Sequence, residues 1–472
     1  MKKFLLFISL FPLTLFAQTQ IGNDLIGEFE NDLFGSSVAL SRNGNILAVG
    51  SITNSETGAG AGQVQVFENI NNAWVQLGQD INGDGIDAKL GRGLAISDDG
   101  TIIALGADGN DNNIGNVRVF EYSNGSWVQI GQELVGINPG GKFGNEVSLS
   151  SDGTIVGVGA PSSFASSGSA HIFQNQGGTW VQLGDDINGD VSLGLFGNGM
   201  DLSADGLTIA IGGDGLFGVA GTLQIFEYID DNWTQIGQTI TGEEDFDRIG
   251  SNVGMSDDGS IVAVSALGNE ANGINTGAAR VYRNIGGTWT KIGNDLTGNS
   301  FNQQFGASLS LSSDGNIIAV GSFGAENERI FKNTNDNWEE LANIAGEPDS
   351  FFGLQSHLSK DGLTVAVGAQ SYDGNGNDRG LARVFSLGDI LSSVDDLQEN
   401  NLVLFPNPTS GILTVKMENI NQLEKIIVYN NLGQELLTST TNIMDLSSLS
   451  DGVYYVEVIN NKGRILKTVI VD

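Results

Sequence analysis

The sequence predicts an all-β chain whose main body is a seven-bladed β-propeller closed by its N-terminal strand, and three observations support this. The phrase FGSSVALSRNGNILAVG, Phe34 to Gly50, returns in seven copies beginning at Phe34, Leu90, Phe143, Phe196, Ile249, Phe305 and Phe352, spaced 56, 53, 53, 53, 56 and 47 residues apart. Periods of this length mark solenoids, arrays or propellers. Each copy shows strand-type alternation without helical periodicity. All six tryptophans, Trp74, Trp127, Trp180, Trp233, Trp289 and Trp338, occupy one slot of the repeat.

In chain order, MKKFLLFISLFPLTLFAQ places Lys2 and Lys3 before an apolar run from Phe4 to Phe16 and the small Ala17. This pattern predicts a signal peptide over residues 1–17, with the mature chain starting at Gln18. No later stretch is long and apolar enough for a membrane span. The propeller is assigned to 18–388. Within each copy the second residue is glycine, the eighth serine, the tenth aspartate (Asn43 in the first copy) and the eleventh glycine. An Asp-Gly pair between two apolar runs is a hairpin signal, and a primed turn, with glycine supplying positive φ, is the expectation. A third strand follows, as in GQVQVFE (Gly62 to Glu68), and then the tryptophan strand, as in WVQLGQDING from Trp74. Four strands per copy make a propeller blade, with the tryptophan as inter-blade packing. The seventh copy stops after its third strand, LARVFS (Leu381 to Ser386). QIGNDLIG (Gln20 to Gly27) matches QLGQDING (Gln76 to Gly83) but has no blade in front of it, so the N-terminal strand is expected to complete the last blade and remove an exposed edge.

The composition suits this architecture. There are 68 glycines, 6 prolines and 40% hydrophobic residues, enough apolar content for a core punctuated by turns. The net charge of -35 and the lack of any basic block exclude nucleic acid as an expected partner. With no cysteine, the exported chain must be held by its core, and thiol chemistry is excluded.

Phrases such as FGNEVSLSSDGTIVGVGAP, with Phe143-Gly144 at the head and Gly159-Ala160-Pro161 at the tail, resemble the FG-GAP repeat of integrin-α-type propellers. In that family a calcium loop of the D-x-D-x-D-G type lies between the first two strands. Here the corresponding loop is the shorter S-x-D-G.

After Leu387 the repeat ends. GDILSSVDDLQENN reads as an acidic linker, assigned to 389–400, before a C-terminal domain at 401–472 with strands of its own. Pro406-Asn407-Pro408 ahead of Gly411, the NLGQ segment containing Gly433, and LSDGVY containing Gly452 and Tyr454 resemble the type A sorting domain of the type IX secretion system of Gram-negative bacteria. The resemblance implies a small β-sandwich that the secretion machinery recognises, and a protein that is released or held at the outer-membrane surface. The chain ends VIVD, where that family often has basic residues.

Catalytic signals are sparse. The two histidines, His171 and His357, lie in no triad or metal-ligand spacing. His357 and Asp201 stand where the sister copies carry small residues, which would put polar groups near the central channel. Asp80, Asn82 and Asp84, before Gly85, reproduce the first half of a calcium loop, but Ala88 and Gly91 stand where the second half needs ligands, so calcium is a possible cofactor and no other is implied. Asp80 also belongs to a position shared with Asp24, Asp186 and Asp295.

The strand-one-to-two turns are nearly uniform, whereas the strand-two-to-three loops differ. These loops carry Phe164, Phe217, Phe323, Tyr372, Asp108, Asp111 and Asp214, the candidate ligand-binding set. The leading expectation is a non-enzymatic binding or adhesion module for an extracellular glycan, protein or polymer. The alternatives are a propeller-type polysaccharide lyase or glycosidase, which needs converging carboxylates, and a purely structural surface protein.

Overall fold

Each repeat forms one antiparallel sheet. In a computed structural model of the chain, Phe34–Leu40, Ile46–Ser51, Gln63–Ile70 and Ala73–Gln76 pair in that order, and Ile81–Asn82 pairs with the start of the third strand. Six more sheets follow, with first strands Leu94–Ile96, Glu146–Leu149, Gly199–Leu202, Ile249–Met255, Phe305–Leu311 and Gln355–Leu358. Each first strand packs against the next, and Gln355–Leu358 packs against Phe34–Leu40, so the seven sheets follow one another in a closed ring. The structure describes residues 19–388 except 216, 217 and 375, and further on 403–409, 411–416, 423–430, 435–450, 452–460 and 463–471. The expected signal peptide and the linker 389–400 fall outside the described residues. The chain divides into two units at Leu387/Gly388.

The inner strands differ from simple alternation. Ile155–Ala160, Ile261–Ala266 and Thr364–Ala369 are buried at every position, because a sheet between two others buries both its faces. Small residues on these strands permit close approach. At Gly144, where φ is +86°, a Cβ would lie 2.6 Å from the Asn116 carbonyl oxygen, which accounts for the glycine at the second repeat position. The leading phenylalanine packs edge-to-face on a third-strand ring in five sheets: Phe34 on Phe67, Phe143 on Phe173, Phe196 on Phe226, Phe305 on Phe331 and Phe352 on Phe385, with centroids 6.1–6.4 Å apart.

The turn geometry corrects the primed-turn expectation. Gly44 N–H bonds to Ser41 O, and Ser41 N–H to Ile46 O, with the same pair of bonds in the other six copies. Of the Asn43-Gly44 pair only the glycine has positive φ, at +68°. The turn is therefore an ordinary turn followed by a left-handed glycine. The reason lies in the side chains. The aspartate Oδ1 accepts both the serine hydroxyl, as from Ser150 to Asp152 at 2.7 Å, and the amide two residues on, Thr154 N–H at 2.9 Å. The serine Oγ meanwhile accepts Ile155 N–H at 2.9 Å.

The tryptophans join neighbouring sheets. Each indole N–H donates to a carbonyl of the preceding sheet: Trp74 to Ile21, Trp127 to Leu77, Trp180 to Ile130, Trp233 to Leu183, Trp289 to Ile236 and Trp338 to Ile292, at 2.7–3.2 Å. The ring lies against a glycine. At Gly131 a Cβ would come 2.7 Å from Trp180 Cδ1.

Thr19–Gln20 and Leu25–Ile26 pair with Leu381–Ser386, in the place the seventh repeat leaves open. Arg383, 14% exposed at its side chain, holds Asp24 through two 2.8 Å hydrogen bonds and reaches Glu347 at 2.6 Å. Arg379 donates to the Gly27 and Glu28 carbonyls, each at 2.9 Å.

In the second unit, Val403–Phe405, Ile412–Lys416 and Ile443–Asp445 form one sheet, and Glu435–Ser439, Leu423–Tyr429, Gly452–Asn460 and Gly463–Val471 form another. Leu413, Val415, Ile426, Val428, Met444, Val456 and Val469, from both sheets, share one core.

Deleting Gln18 to Gly27 removes two paired strands and strands Arg383 with one carboxylate fewer. The loss is expected to be on the order of 3–5 kcal/mol, as for a buried ion pair robbed of a partner. Denaturant unfolding checks this against a chain lacking Asp389 to Asn400, which is expected to unfold at the parental midpoint.

Candidate functional site

The first strands enclose a channel of about 320 Å³ on the ring axis. One end is set by the turns. The ninth residue of each repeat donates its amide to the ninth residue of the next: Arg42 to Asp98, Asp98 to Ser151, Ser151 to Ala204, Ala204 to Asp257, Asp257 to Ser313 and Ser313 to Lys360, at 2.8–2.9 Å. Asp361 N–H to Arg42 O, at 3.1 Å, closes the circle. The Arg42 guanidinium bonds to Asp98 on the adjacent sheet at 2.5 Å and to Asp257 on the far side, so it lies across this end of the channel. Lys360 approaches Asp201 at 4.0 Å and donates to Met255 O at 3.5 Å. With both cations paired to carboxylates, this end forms a charged floor.

Above the floor, sixth-position side chains bridge to the next sheet. Asp201 accepts Met255 N–H at 2.9 Å, Ser148 accepts Leu202 N–H at 3.1 Å, Ser310 accepts Leu358 N–H at 3.1 Å, and His357 Nδ1 accepts Leu40 N–H at 3.2 Å. The expectation that Asp201 and His357 reach the channel is met, since both line it, and each holds adjoining inner strands in register. Burial, with Lys360 nearby, pushes the His357 imidazole down to about 4, so it stays neutral at physiological pH. Accepting at Nδ1, it carries its proton on Nε2.

Toward the other end lie Glu146 and Arg92, which the motif reading missed. Glu146 is half-buried and enclosed by channel wall. Burial pushes its carboxyl up to about 8 despite the nearby Arg92, and Asp201 adds to the rise. A column comparison could have found it: the same position holds Ser37, Gly93, Gly199, Asn252, Ser308 and Gln355 in the other copies. Glu328, fully buried where sister strands carry Val64 or Val117, accepts Ser356 Oγ at 2.9 Å, has no partner for Oε2, and is pushed well above the carboxylate range by burial.

The loop residues are dispersed around this open end. Asp214 lines the channel, is buried, and accepts Arg248 at 2.7 Å and Ser251 at 3.1 Å. Asp108, at the matching position two sheets earlier, is buried with Oδ1 unpartnered. Asp111 and Phe164 sit in short left-handed turns, with φ of 44° and 49°, and the Phe164 ring is 50% exposed. Phe323 packs edge-to-face on Phe351, a residue the sequence reading did not single out, at 5.7 Å. Tyr372 is half-buried against Gly374. Phe217 lies outside the described residues. Asp108 and Asp111 share one loop while Phe164, Asp214, Phe323 and Tyr372 stand on four others, and among the described residues no hydrogen bond, ion pair or ring contact joins any two of them.

The calcium candidates are used within their sheet. Asp80 Oδ1 accepts Gln65 at 3.0 Å and Gln76 at 2.6 Å, Asn82 Oδ1 accepts Gln63 at 3.0 Å, and Asp84 lies 3.8 Å from Arg118. Asp80 thus follows a recurring pairing that also joins His171 to Asp186 at 2.7 Å and Arg280 to Asp295 at 2.8 Å. Among the described residues, no group of three His, Cys, Asp or Glu side chains is placed to hold a metal ion.

In the C-terminal unit, Pro406, Asn407 and Pro408 are exposed. The Asn407 side chain donates to Thr468 O at 3.0 Å and accepts Ile470 N–H at 2.9 Å, tying the segment to the last strand. Tyr454 O–H donates to Ser450 O at 2.8 Å. Cβ atoms at Gly411 and Gly452 would meet nothing closer than 3.7 and 3.6 Å, so packing does not require either glycine. Gly433 lies outside the described residues.

Residues 403–472 match the family described as the secretion system C-terminal sorting domain, the type IX sorting tail, which marks a secreted or cell-surface protein that engages the secretion machinery. None of the curated proteins matches the chain. Among solved structures, the β-propeller domain of Cps50 (Swd1) from Myceliophteria thermophila is 11% identical with a TM-score of 0.53, covering 78% of this chain and 99% of that one. A Mitotic Checkpoint Complex chain is 16% identical with a TM-score of 0.51, covering 82% and 98%. Hydrazine synthase of Kuenenia stuttgartiensis is 13% identical with a TM-score of 0.50, covering 73% and 94%. These likenesses identify a β-propeller fold and carry no function across. Among the described residues no helix is long and apolar enough to cross a membrane, which says nothing of β-barrels.

The acids of the two channel regions carry opposite pH dependences. Burial alone would raise Asp99, Asp152, Asp258 and Asp314, but the hydroxyl and amide donors of their turns outweigh it and hold them below the usual range. Their stabilisation is complete above the unfolded value near 3.8 and is lost as pH falls through the folded values. Glu146 has the opposite sign: between about 4.5 and about 8 the unfolded chain releases a proton that the folded chain keeps, so stability falls as pH rises. Glu146→Gln is therefore expected to match the parent near pH 4 and exceed it by about 1–2 kcal/mol near pH 8, after allowing for channel water. Urea unfolding across pH 4–9 measures the difference.

Proposed function

We propose that this is a secreted or cell-surface protein whose seven-bladed FG-GAP-like β-propeller acts as a non-catalytic binding or adhesion module for an extracellular glycan, protein or polymer. An N-terminal signal peptide takes it across the inner membrane, and a C-terminal β-sandwich hands it to the type IX machinery.

The observation that carries this reading is the contrast between the two ends of the channel. At one end seven near-identical turns spend their side chains on one another and on the ion-paired floor. At the other, loops of unlike length and chemistry present Phe164, Phe323, Tyr372 and Asp111 from separate sheets. Structure alone explains the first end. Diversity around the open end is what a ligand spanning several blades would select.

Probing glycan and extracellular-protein arrays with the secreted chain, alongside a turnover assay on any polymer it captures, tests the reading. Phe323→Ala or Tyr372→Ala is expected to weaken capture by about 1 kcal/mol or more where the ring is an anchor, whereas Asp152→Ala is expected to lower stability by about 1 kcal/mol, as for a lost capping acceptor, and leave capture unchanged. Turnover of the captured polymer, or loss of capture in a folded turn variant with normal capture in the loop variants, would contradict it.

The sorting assignment has its own test. A chain lacking 401–472 is expected to accumulate folded in the periplasm, as fractionation and immunoblotting would show. Its normal appearance outside the cell would refute the role given to the tail.

A further inference from the structure

The open part of the channel is not equally polar on all sides. On the first, fifth and sixth sheets the polar side chains at the mouth are already engaged: Ser37 donates to Gly91 O at 2.6 Å, Asn252 to Gly306 O at 2.9 Å and Ala307 O at 3.0 Å, and Ser308 to Gly353 O at 3.1 Å. The second, third and fourth sheets are consecutive in the ring and present Arg92, Asn145, Glu146 and Asn198 to the channel. Among the described residues, none of these four side chains makes a hydrogen bond or ion pair; Asn145 is only 9% exposed, Glu146 and Asn198 are half-buried, and Arg92 is exposed. Gln355 adds a fifth unengaged group, the third amide, from the seventh sheet.

A polar group buried without a partner, as the Asn145 amide is, is costly, and it persists where something else supplies the partner. The chemistry of this wall narrows the choice. It offers N–H donors from one guanidinium and three amides, and acceptors from those amides and one carboxyl, with no aromatic or aliphatic platform among them. With Glu146 protonated at neutral pH, the Arg92 charge is offset by the surplus carboxylate of the floor, where Asp98 and Asp257 share Arg42, so neither a simple anion nor a simple cation is preferred. The other charges lining the channel are already paired: Asp214 with Arg248, Asp201 with Lys360, and Asp98 and Asp257 with Arg42. A cavity of about 320 Å³ lies at the small end of the range for ligand pockets, enough for one ring-sized group and closed beyond it by the floor.

We propose that the wall formed by Arg92, Asn145, Glu146 and Asn198 is a binding site for a neutral, hydroxyl-rich ring, a single sugar unit that enters the channel from the loop face. The inference rests on the reading of the protein as a binding module and names the class of ligand its channel takes. Vicinal hydroxyls both donate and accept, which is what this mixture of amide, carboxyl and guanidinium groups demands. Glu146 in its protonated form acts as both donor and acceptor, and Gln can replace it in that role.

The test uses the secreted full chain and the methyl glycosides of glucose, galactose, mannose and N-acetylglucosamine, with n-butylamine and n-butyrate as charged controls, measured by saturation-transfer NMR and calorimetry. At least one glycoside is expected to bind and neither control. Glu146→Leu and Asn198→Leu, each checked for folding by circular dichroism, are expected to weaken that glycoside at least tenfold. Glu146→Gln is expected to stay within about threefold of the parent and to lose the weakening that the parent shows above pH 8. Gln355→Leu, at the rim, gives a second readout should a wall variant fail to fold, with a several-fold loss expected. Binding of none of the four glycosides, tight binding of a charged control in their place, or unchanged glycoside affinity in a folded Glu146→Leu chain would each overturn the proposal. Array capture that survives in Glu146→Leu while no glycoside enters the channel would overturn the channel site alone and leave the binding reading standing. Absence of both would remove the two together.

Discussion

Seven backbone hydrogen bonds around the channel end, six from one ninth-position residue to the next and the seventh from Asp361 back to Arg42, are the constraint on which the remaining architecture depends. They oblige every sheet to present the same residue at the same height, from Arg42 round to Lys360. A circle of such bonds tolerates no slip, because moving one strand by a residue would turn its side chains to the opposite face. The serine, aspartate and glycine that surround the ninth position follow from this. They shape a turn whose amides at positions eight, eleven, twelve and thirteen bond within it, while the peptide at position nine bonds sideways. Repetition of the phrase is thus a condition of closing the ring.

Closure also explains where polar groups are allowed inside. The third-strand polar residue and the end of the tryptophan strand pair in most sheets: Gln65 with Asp80, His171 with Asp186, Arg280 with Asp295 and Arg383 with Asp24. The last of these joins residues 359 positions apart and links the start of the chain to its seventh sheet. Arg280, wholly buried, is held by Asp247, Asp295 and Glu243. Such pairs add little net stability, since the desolvation of both partners offsets their attraction, but they penalise misregistered alternatives strongly.

Architecture was legible in the sequence because it is periodic. Seven phrases, six tryptophans and a stray QIGNDLIG suffice to predict the repeating sheets and the strand that completes the last of them. Position in the repeat also explains Asp80, whose slot is shared with Asp24, Asp186 and Asp295. The turn type was misread because the Asp-Gly pair is shared by two hairpin geometries, and the choice between them is made by the serine two residues earlier. The channel was the least legible part. Glu146, Arg92 and Arg42 belong to no motif, and their meaning comes from facing one another across a ring whose members are separated by whole repeats. They are visible only as departures within a column, Glu146 among small and amide residues, Arg42 and Lys360 among Asp, Ser and Ala. The loop aromatics illustrate the converse. Phe164 and Phe323 were legible as residues, but their orientation depends on a left-handed turn, shared with Asp111 under an unlike loop sequence, in one case and on Phe351 in the other.

The proposed binding role divides the ring between a sealed end and an open one. Hydrogen exchange of the secreted chain, with and without the polymer it captures, tests that division most directly. New protection is expected in 52–61, 107–114, 161–167, 323–328 and 370–379 and at the channel mouth around 145–146, with the turns that contain Asp99, Asp152 and Asp314 unchanged. New protection concentrated in those turns, with the loops exchanging as in the free protein, would contradict it.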